Sequence, residues 1–293
     1  PDNKQTHALY ASTLLNTGQA KKSIKLAEQL IEKHPQDIDN YVLAGRILMT
    51  LNKPSEAASY WEKSLTIDAE ALIAHYALGE IALIEKNSDK ALFHYLTIID
   101  KDSTQGTAYK GVLAAYELNA DIQAGIKKIQ SLATEHPAEA TPLAVLAEYQ
   151  LRRDNIEAAL PLAKKAVALD PGLSYAVKLN ELIHYQLSVK QLAAKNFNAA
   201  RQSLGVALKS APRSLDFLKL QADIEIATSN HNQLEQVLAI IAEYHPNTGL
   251  ANVLKGDSLI EQQAYDAALP QYQAAWKKQP NDRLALKISS LLK

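Results

Sequence analysis

At 293 residues and 47% hydrophobic content, the chain is long enough to bury a large apolar surface. Its 31 basic and 32 acidic residues leave a formal charge of -1, which excludes a global electrostatic pull toward nucleic acid or an anionic membrane. With no cysteine it can form no disulfide, thiolate metal site or thiol nucleophile. Ala, Leu, Lys, Glu and Gln are abundant and favour helix, and no β-type alternating segment stands out. No apolar run approaches the roughly 18 residues needed to span a bilayer, so no direct membrane insertion is expected of this segment. No signal peptide opens the chain, and a start at Pro1 is what a processed or excised part of a longer protein would show.

In chain order, Pro35, Ala69, Ser103, Pro137, Pro171, Pro212, Pro246 and Pro280 mark the ends of recurring segments, with spacings of 34, 34, 34, 34, 41, 34 and 34. A period of 34 predicts stacked helical hairpins. Within each unit a first helix of about a dozen residues leads through a short polar turn into a second helix. Those turns read Asn16-Thr-Gly-Gln19, Asn52-Lys-Pro-Ser55, Lys86-Asn-Ser-Asp89, Arg153-Asp-Asn155, Lys195-Asn-Phe-Asn198 and Thr228-Ser-Asn-His231, rich in residue types that favour turns and helix caps. The most regular copy, 155–171, places Ala159, Ala163 and Ala166 on one face for close helix approach, and Pro171 stops the helix. Leu at Ala159 or Ala268 is expected to overpack that face by about 1 to 3 kcal/mol.

These columns resemble the tetratricopeptide repeat family over most of the chain. The family's small first-helix residue stands at Gly45, Gly79 and Gly256, and its second-helix alanine at Ala57, Ala91, Ala159, Ala200 and Ala268. Its bulky position four later holds Trp61, Tyr95, Leu204 and Tyr272, and a further small residue is Ala166, Ala207 and Ala275. The fourth unit departs, with Leu113 and Gly125 at the two small positions, and no unit has the family's early Trp. The resemblance implies an all-α fold, an α-α superhelix or solenoid of about eight helix-turn-helix repeats plus a C-terminal helix. As a single solenoid over 1–293, its repeats would run 4–37, 38–71, 72–105, 106–139, 140–173, 174–214, 215–248 and 249–282, with a last helix at 283–293. Helices of about 12 residues are marginal alone, so stacking is obligatory.

The unit with the 41-residue spacing predicts one helix of about 22 residues over 174–195. Its seven extra residues turn about 700°, close to two full turns, so the packing face stays nearly in register. The added turns are expected to protrude, with Tyr175, Leu182 and Tyr185 either covering neighbouring helix ends or offering a contact surface for self-association. At the far end Asp282 reads as the cap of the last helix.

The chain offers no catalytic constellation, phosphate loop or nucleophile elbow, and no cofactor-binding residues are expected. No metal site is expected either, since His75 and His94 fall on different helices and no metal-binding His pair at a four-residue spacing occurs. His34, His136 and His245 precede closing prolines and suit helix C-termini.

In the family, the inner face is lined mainly by first helices. Carried over by position, the partner-binding candidates are Asp39, Val42, Arg46, Met49, Tyr76, Glu80, Leu83, Lys110 and Glu117. The set continues with Glu148, Arg152, Lys178, Asp216, Lys219, Asp223, Asp257 and Glu261. Together they describe a mixed groove, apolar and aromatic near Met49 and Tyr76 and more acidic toward Glu261, suited to a peptide or helix with apolar anchors and some basic side chains. The family's clamp for a chaperone C-terminal carboxylate, built of Lys and Asn, is not matched at Ala8 and Ser12, Val42 and Arg46, or Tyr76 and Glu80.

The expected function is a non-catalytic scaffold that binds protein or peptide, with no nucleic acid. The alternatives are the substrate-recruiting arm of a larger enzyme and a helical-repeat RNA binder. The last unit, from Gly256 through Trp276 to Leu286, is similar to bacterial envelope proteins of exosortase and exopolysaccharide systems. That similarity implies a bacterial assembly or secretion system and a periplasm-facing location, with the cytoplasm as the alternative.

Overall fold

The computed structural model describes residues 4–292. Among them are seventeen α-helices, one short 3-10 turn and no strand. The chain forms two compact units, Pro1–Leu146 and Ala147–Lys293.

The first unit contains the hairpins α1 (Lys4–Asn16) with α2 (Ala20–Lys33), α3 (Ile38–Thr50) with α4 (Pro54–Ile67), α5 (Leu72–Ile84) with α6 (Ser88–Lys101), and α7 (Gly106–Leu118) with α8 (Ile122–Glu135). The boundary with the second unit falls inside α9 (Thr141–Arg152). The second unit continues with α10 (Ile156–Leu169), α11 (Ser174–Ala193), α12 (Phe197–Ser210), α13 (Leu215–Ala227) and α14 (His231–Tyr244). After the 3-10 turn Pro246–Thr248 come α15 (Leu250–Glu261), α16 (Tyr265–Lys278) and α17 (Asp282–Leu291).

The turn inside each hairpin repeats at atomic detail. Gly18, Asn52, Lys86, Ala120, Asp154, Lys195, Ser229 and Gln263 all have φ between 51° and 73°. One residue later a backbone N–H donates five residues back into the preceding helix, from Lys53 to Leu48 at 2.9 Å and from Asn87 to Ala82 at 2.8 Å, for example. This pairing satisfies carbonyls that a helix end would otherwise leave open, and it needs a left-handed residue at the turn. Only the first turn uses glycine. Asn87, Asp121, Asn155 and Asn230 then cap the second helix through their side chains.

A second device joins one hairpin to the next. Tyr41 and Tyr109 donate their hydroxyls to the carbonyls of Pro35 and Ser103, at 3.0 and 3.1 Å. One period after Tyr41, His75 Nε2 reaches the Ala69 carbonyl at 3.0 Å. The marker residues of the sequence period are therefore the acceptors of this joint. His34, His136 and His245 are the C-terminal caps of α2, α8 and α14.

The glycines of the first helices make room for the bulky residues of the second. A Cβ on Gly45 would lie 2.5 Å from the Trp61 ring, and one on Gly256 2.6 Å from Tyr272. Tyr95 fills a slot between two glycines, with a Cβ on Gly79 meeting it at 2.8 Å and one on Gly111 at 2.5 Å. Within the fourth hairpin the arrangement is reversed: the glycine is Gly125 of the second helix, where a Cβ would lie 2.8 Å from Tyr116 of the first, and Leu113 is buried as a core residue.

α11 has 20 residues rather than 22, because Ala194 and Lys195 are spent on its cap and the left-handed turn. Ala176, Leu179 and Ile183 are buried, and Leu179 and Ile183 pack with Ala159 and Ala163 of α10. Further along, Tyr185 and Leu192 pack against Ala200 and Leu204 of α12, and the buried Ser188 donates to the Ala200 carbonyl at 2.8 Å. The added turns are held at their far end by Lys190, whose ammonium lies 3.1 Å from the Asp154 carboxylate. The extension therefore lies against α12 and the preceding turn, where a free protrusion was expected. At α17 the cap is Asn281, whose side chain accepts from Leu284 N–H at 3.0 Å; Asp282 instead supplies negative charge to the first turn.

Candidate functional site

Each unit has a groove built from the candidates on its own first helices. In the first unit, Arg46 and Met49 of α3 and Tyr76 and Glu80 of α5 line a groove of 550 Å³. Trp61, Ile73 and Thr107 complete its walls. Arg46 and Glu80 are exposed, Met49 and Tyr76 half-buried, and Ile73 is 48% exposed. Tyr76 is positioned by donating to Gln105 Oε1 at 3.2 Å and by an edge contact with the Tyr95 ring, 6.5 Å between centroids. Burial, with Glu80 adding to it, raises the Tyr95 phenol above its ordinary range, so that ring stays neutral beneath the groove. The result is an apolar floor with one cation and one anion at its rim.

Five candidates of this unit lie elsewhere. Val42 is buried in the core beside Leu48 and Trp61, because it faces the hairpin partner rather than the groove. Asp39 is exposed in the first turn of α3, where the Asp37 cap accepts its N–H at 3.2 Å. Leu83 is half-buried, and Lys110 and Glu117 are exposed on α7 outside the groove lining.

In the second unit, Asp223 of α13 and Asp257 and Glu261 of α15 come together in a groove of 800 Å³. Ile226, Ile260, Tyr265, Tyr272 and Leu291 supply its apolar surface, and Lys287 of α17 reaches into it. Asp257 accepts from Tyr272 Oη at 2.6 Å and pairs with Lys287. Burial and then this bond to Asp257 hold the Tyr272 phenol above its usual range, keeping it a donor. Lys219 pairs with Asp223 at 2.6 Å within α13. Asp216, Arg152 and Lys178 are exposed and outside this lining, while Glu148 is half-buried and accepts the Tyr175 hydroxyl.

The three residues of α11 separate in the same way. Tyr175 is tied to Glu148, Tyr185 stacks on Phe217 with centroids 5.2 Å apart, and only Leu182 is exposed, at 43%. They do not form one open apolar surface.

Sequence reasoning missed Trp61, Ile73, Tyr265, Tyr272 and Lys287 as groove residues. Trp61 and Tyr272 were read only as packing residues of second helices, yet the glycine opposite each lets the ring reach through to the inner face. That glycine-aromatic pairing was the available signal.

His75 and His94 approach with Nδ1 atoms 2.9 Å apart. His75 Nε2 must carry its proton to bond the Ala69 carbonyl, so its Nδ1 accepts and His94 Nδ1 donates. Among the described residues no group of three or more His, Asp or Glu side chains could hold a metal ion.

A periodic run of hairpins, with small first-helix residues seated on bulky second-helix ones and first helices lining grooves, defines a tetratricopeptide-repeat fold. Residues 42–105 match the tetratricopeptide repeat family model. The chain is 28% identical over 97 residues to the anaphase-promoting complex subunit cut9 of Schizosaccharomyces pombe, a match covering 33% of this chain and 14% of that protein. It is 30% identical over 100 residues to the superkiller complex protein 3 of Mus musculus, covering 32% of this chain and 6% of that one. The matched region thus spans a small part of either relative. Among solved structures, MamA from Desulfovibrio magneticus RS-1 is similar at 18% identity, with a TM-score of 0.42 over 59% of this chain and 98% of that one. No helix among the described residues is long and apolar enough to cross a membrane.

Proposed function

We propose that the chain is a non-catalytic scaffold that holds a partner polypeptide on the inner faces of its first helices. The observation that carries this is the first unit's groove, where Arg46, Met49, Tyr76 and Glu80 converge with the exposed Ile73 over a floor of Trp61. Apolar and aromatic surface flanked by opposite charges suits an extended peptide or one helix face, with the apolar contact giving affinity and the rim charges fixing register. The two partly matched relatives are named as members of multiprotein complexes, which fits the same reading.

The test is affinity capture with the intact chain and with an Arg46→Glu, Tyr76→Ala variant whose circular dichroism matches the parent. Partners recovered by the parent should be lost from the variant. Recovery of the same partners in equal amounts by both would remove this groove from the assignment.

A further inference from the structure

The second unit's groove already holds a cation, and it comes from the chain itself. The Lys287 ammonium pairs with the Asp257 carboxylate and lies 4.9 Å from the centroid of the Tyr272 ring. Tyr272 donates to the same carboxylate, so the anion, the ring and the ammonium form one cluster. A carboxylate beside an aromatic face is the arrangement that recognises a lysine or arginine side chain.

Two features make this cation replaceable. The Lys287 and Asp257 side chains are 26% and 30% exposed, so water and competing ions reach the pair. Partly exposed pairs on long flexible side chains contribute little net stability, so exchanging one cation for another costs little. The repeat geometry shows the same logic one unit earlier. Asp223 stands 34 residues before Asp257, and its partner Lys219 stands two periods before Lys287. One column supplies carboxylates to the groove and another supplies lysines that cover them.

Around the cluster the groove is larger than one side chain requires. Its 800 Å³ are walled by Ile226, Ile260, Leu291 and the 53% exposed Tyr265. Glu261, one turn beyond Asp257, is exposed and has no ion-pair partner among the described residues. An acidic segment would meet three carboxylates here, whereas a basic one is complementary to them.

We propose that this groove binds a partner segment carrying Lys or Arg beside apolar residues, whose cation displaces Lys287 from Asp257 and Tyr272 while a second basic residue meets Glu261. Lys287 then acts as an internal competitor that keeps the site covered until such a segment arrives. The proposal rests on the scaffold reading and names the partner chemistry for this second groove.

The experiment uses two labelled synthetic amphipathic peptides of one length, one of Leu and Lys and one of Leu and Glu, with binding followed by fluorescence anisotropy. The Leu/Lys peptide should bind the full chain, and Lys287→Gln should tighten it about three- to tenfold. Asp257→Asn, which leaves Tyr272 an amide oxygen to bond, should weaken it at least tenfold. Glu157→Gln on α10 removes the same charge away from the groove and should change nothing. Equal binding of the Leu/Glu peptide, no binding of the Leu/Lys peptide to either the parent or Lys287→Gln, or unchanged affinity in both Lys287→Gln and Asp257→Asn would overturn the proposal. Loss of binding in Arg46→Glu with retention in Asp257→Asn would likewise overturn it, while leaving the scaffold reading in place.

Discussion

His94 shows how one buried side chain ties stability to pH. Burial first, then the neighbouring His75 and Lys90, lower its pKa from 6.5 to about 4, with Glu62 opposing from α4. The folded state therefore holds fewer protons than the unfolded state between these values. Its contribution is fully present above pH 6.5 and is lost as pH falls toward 4, about 2 kcal/mol between pH 7.5 and pH 5. Urea melts of the parent at the two pH values should differ by that order, and His94→Gln, whose amide can still donate to His75 Nδ1, should remove most of the difference. An identical pH slope in both proteins would rule out His94 as its source. Ala120 gives a second residue-level case, because its φ of 56° is strained for alanine, whose side chain offers no local hydrogen bond in return. Ala120→Gly should raise the urea midpoint by the equivalent of about 0.5 to 1 kcal/mol, whereas Asn52→Gly should change little, since Asn tolerates that region. A lower midpoint for Ala120→Gly would contradict this account of the turn.

Among the elements, α11 separates what the sequence discloses from what only packing decides. Its existence, its added length and its face were legible, since seven residues nearly complete two turns and return Ser188 to a small-residue site against α12. Its environment was not legible: nothing in the sequence says that Tyr185 would meet Phe217 or that Lys190 would reach Asp154. The same division holds elsewhere. The first-helix pattern put Arg46, Met49, Tyr76 and Glu80 on one face, and the four line one groove, but Val42, on the same helix and four residues before Arg46, faces the core. The fourth hairpin hid its close approach because the glycine stands on the second helix, Gly125 against Tyr116 of the first, a reversal that a column comparison reads as a departure. Asn281 and Asp282 are both good caps by type, and only the hydrogen bond to Leu284 N–H distinguishes them. With Tyr175 and Tyr185 engaged internally, Leu182 alone is a small apolar contribution. Leu182→Glu should therefore leave the solution mass measured by light scattering unchanged; a fall in mass would restore α11 as a self-association surface.

For the whole molecule, the balance of charge argues about partners where no single side chain can. Nucleic-acid binding draws most of its affinity from cations that release counterions, and it announces itself by a steep fall with salt. Here 31 basic residues face 32 acidic ones, and lysines with a natural reach toward a groove are already paired, Lys219 with Asp223 and Lys287 with Asp257. Lys90 with Glu62, Lys101 with Glu70 and Lys255 with Glu235 extend the same habit across hairpins. Stacking of bases would need aromatic faces open to solvent beside free cations. Tyr76 does face a groove, but Glu80 stands on the same rim. A labelled single-stranded RNA should therefore show no binding by anisotropy at about 50 mM salt, the condition that favours it most. Binding whose logarithm fell linearly with the logarithm of salt concentration would demonstrate phosphate contacts and move the chain out of the protein-binding class. A basic peptide, by contrast, should bind under the same conditions and weaken with salt for the opposite reason, because the fixed charges of the second unit's groove are carboxylates.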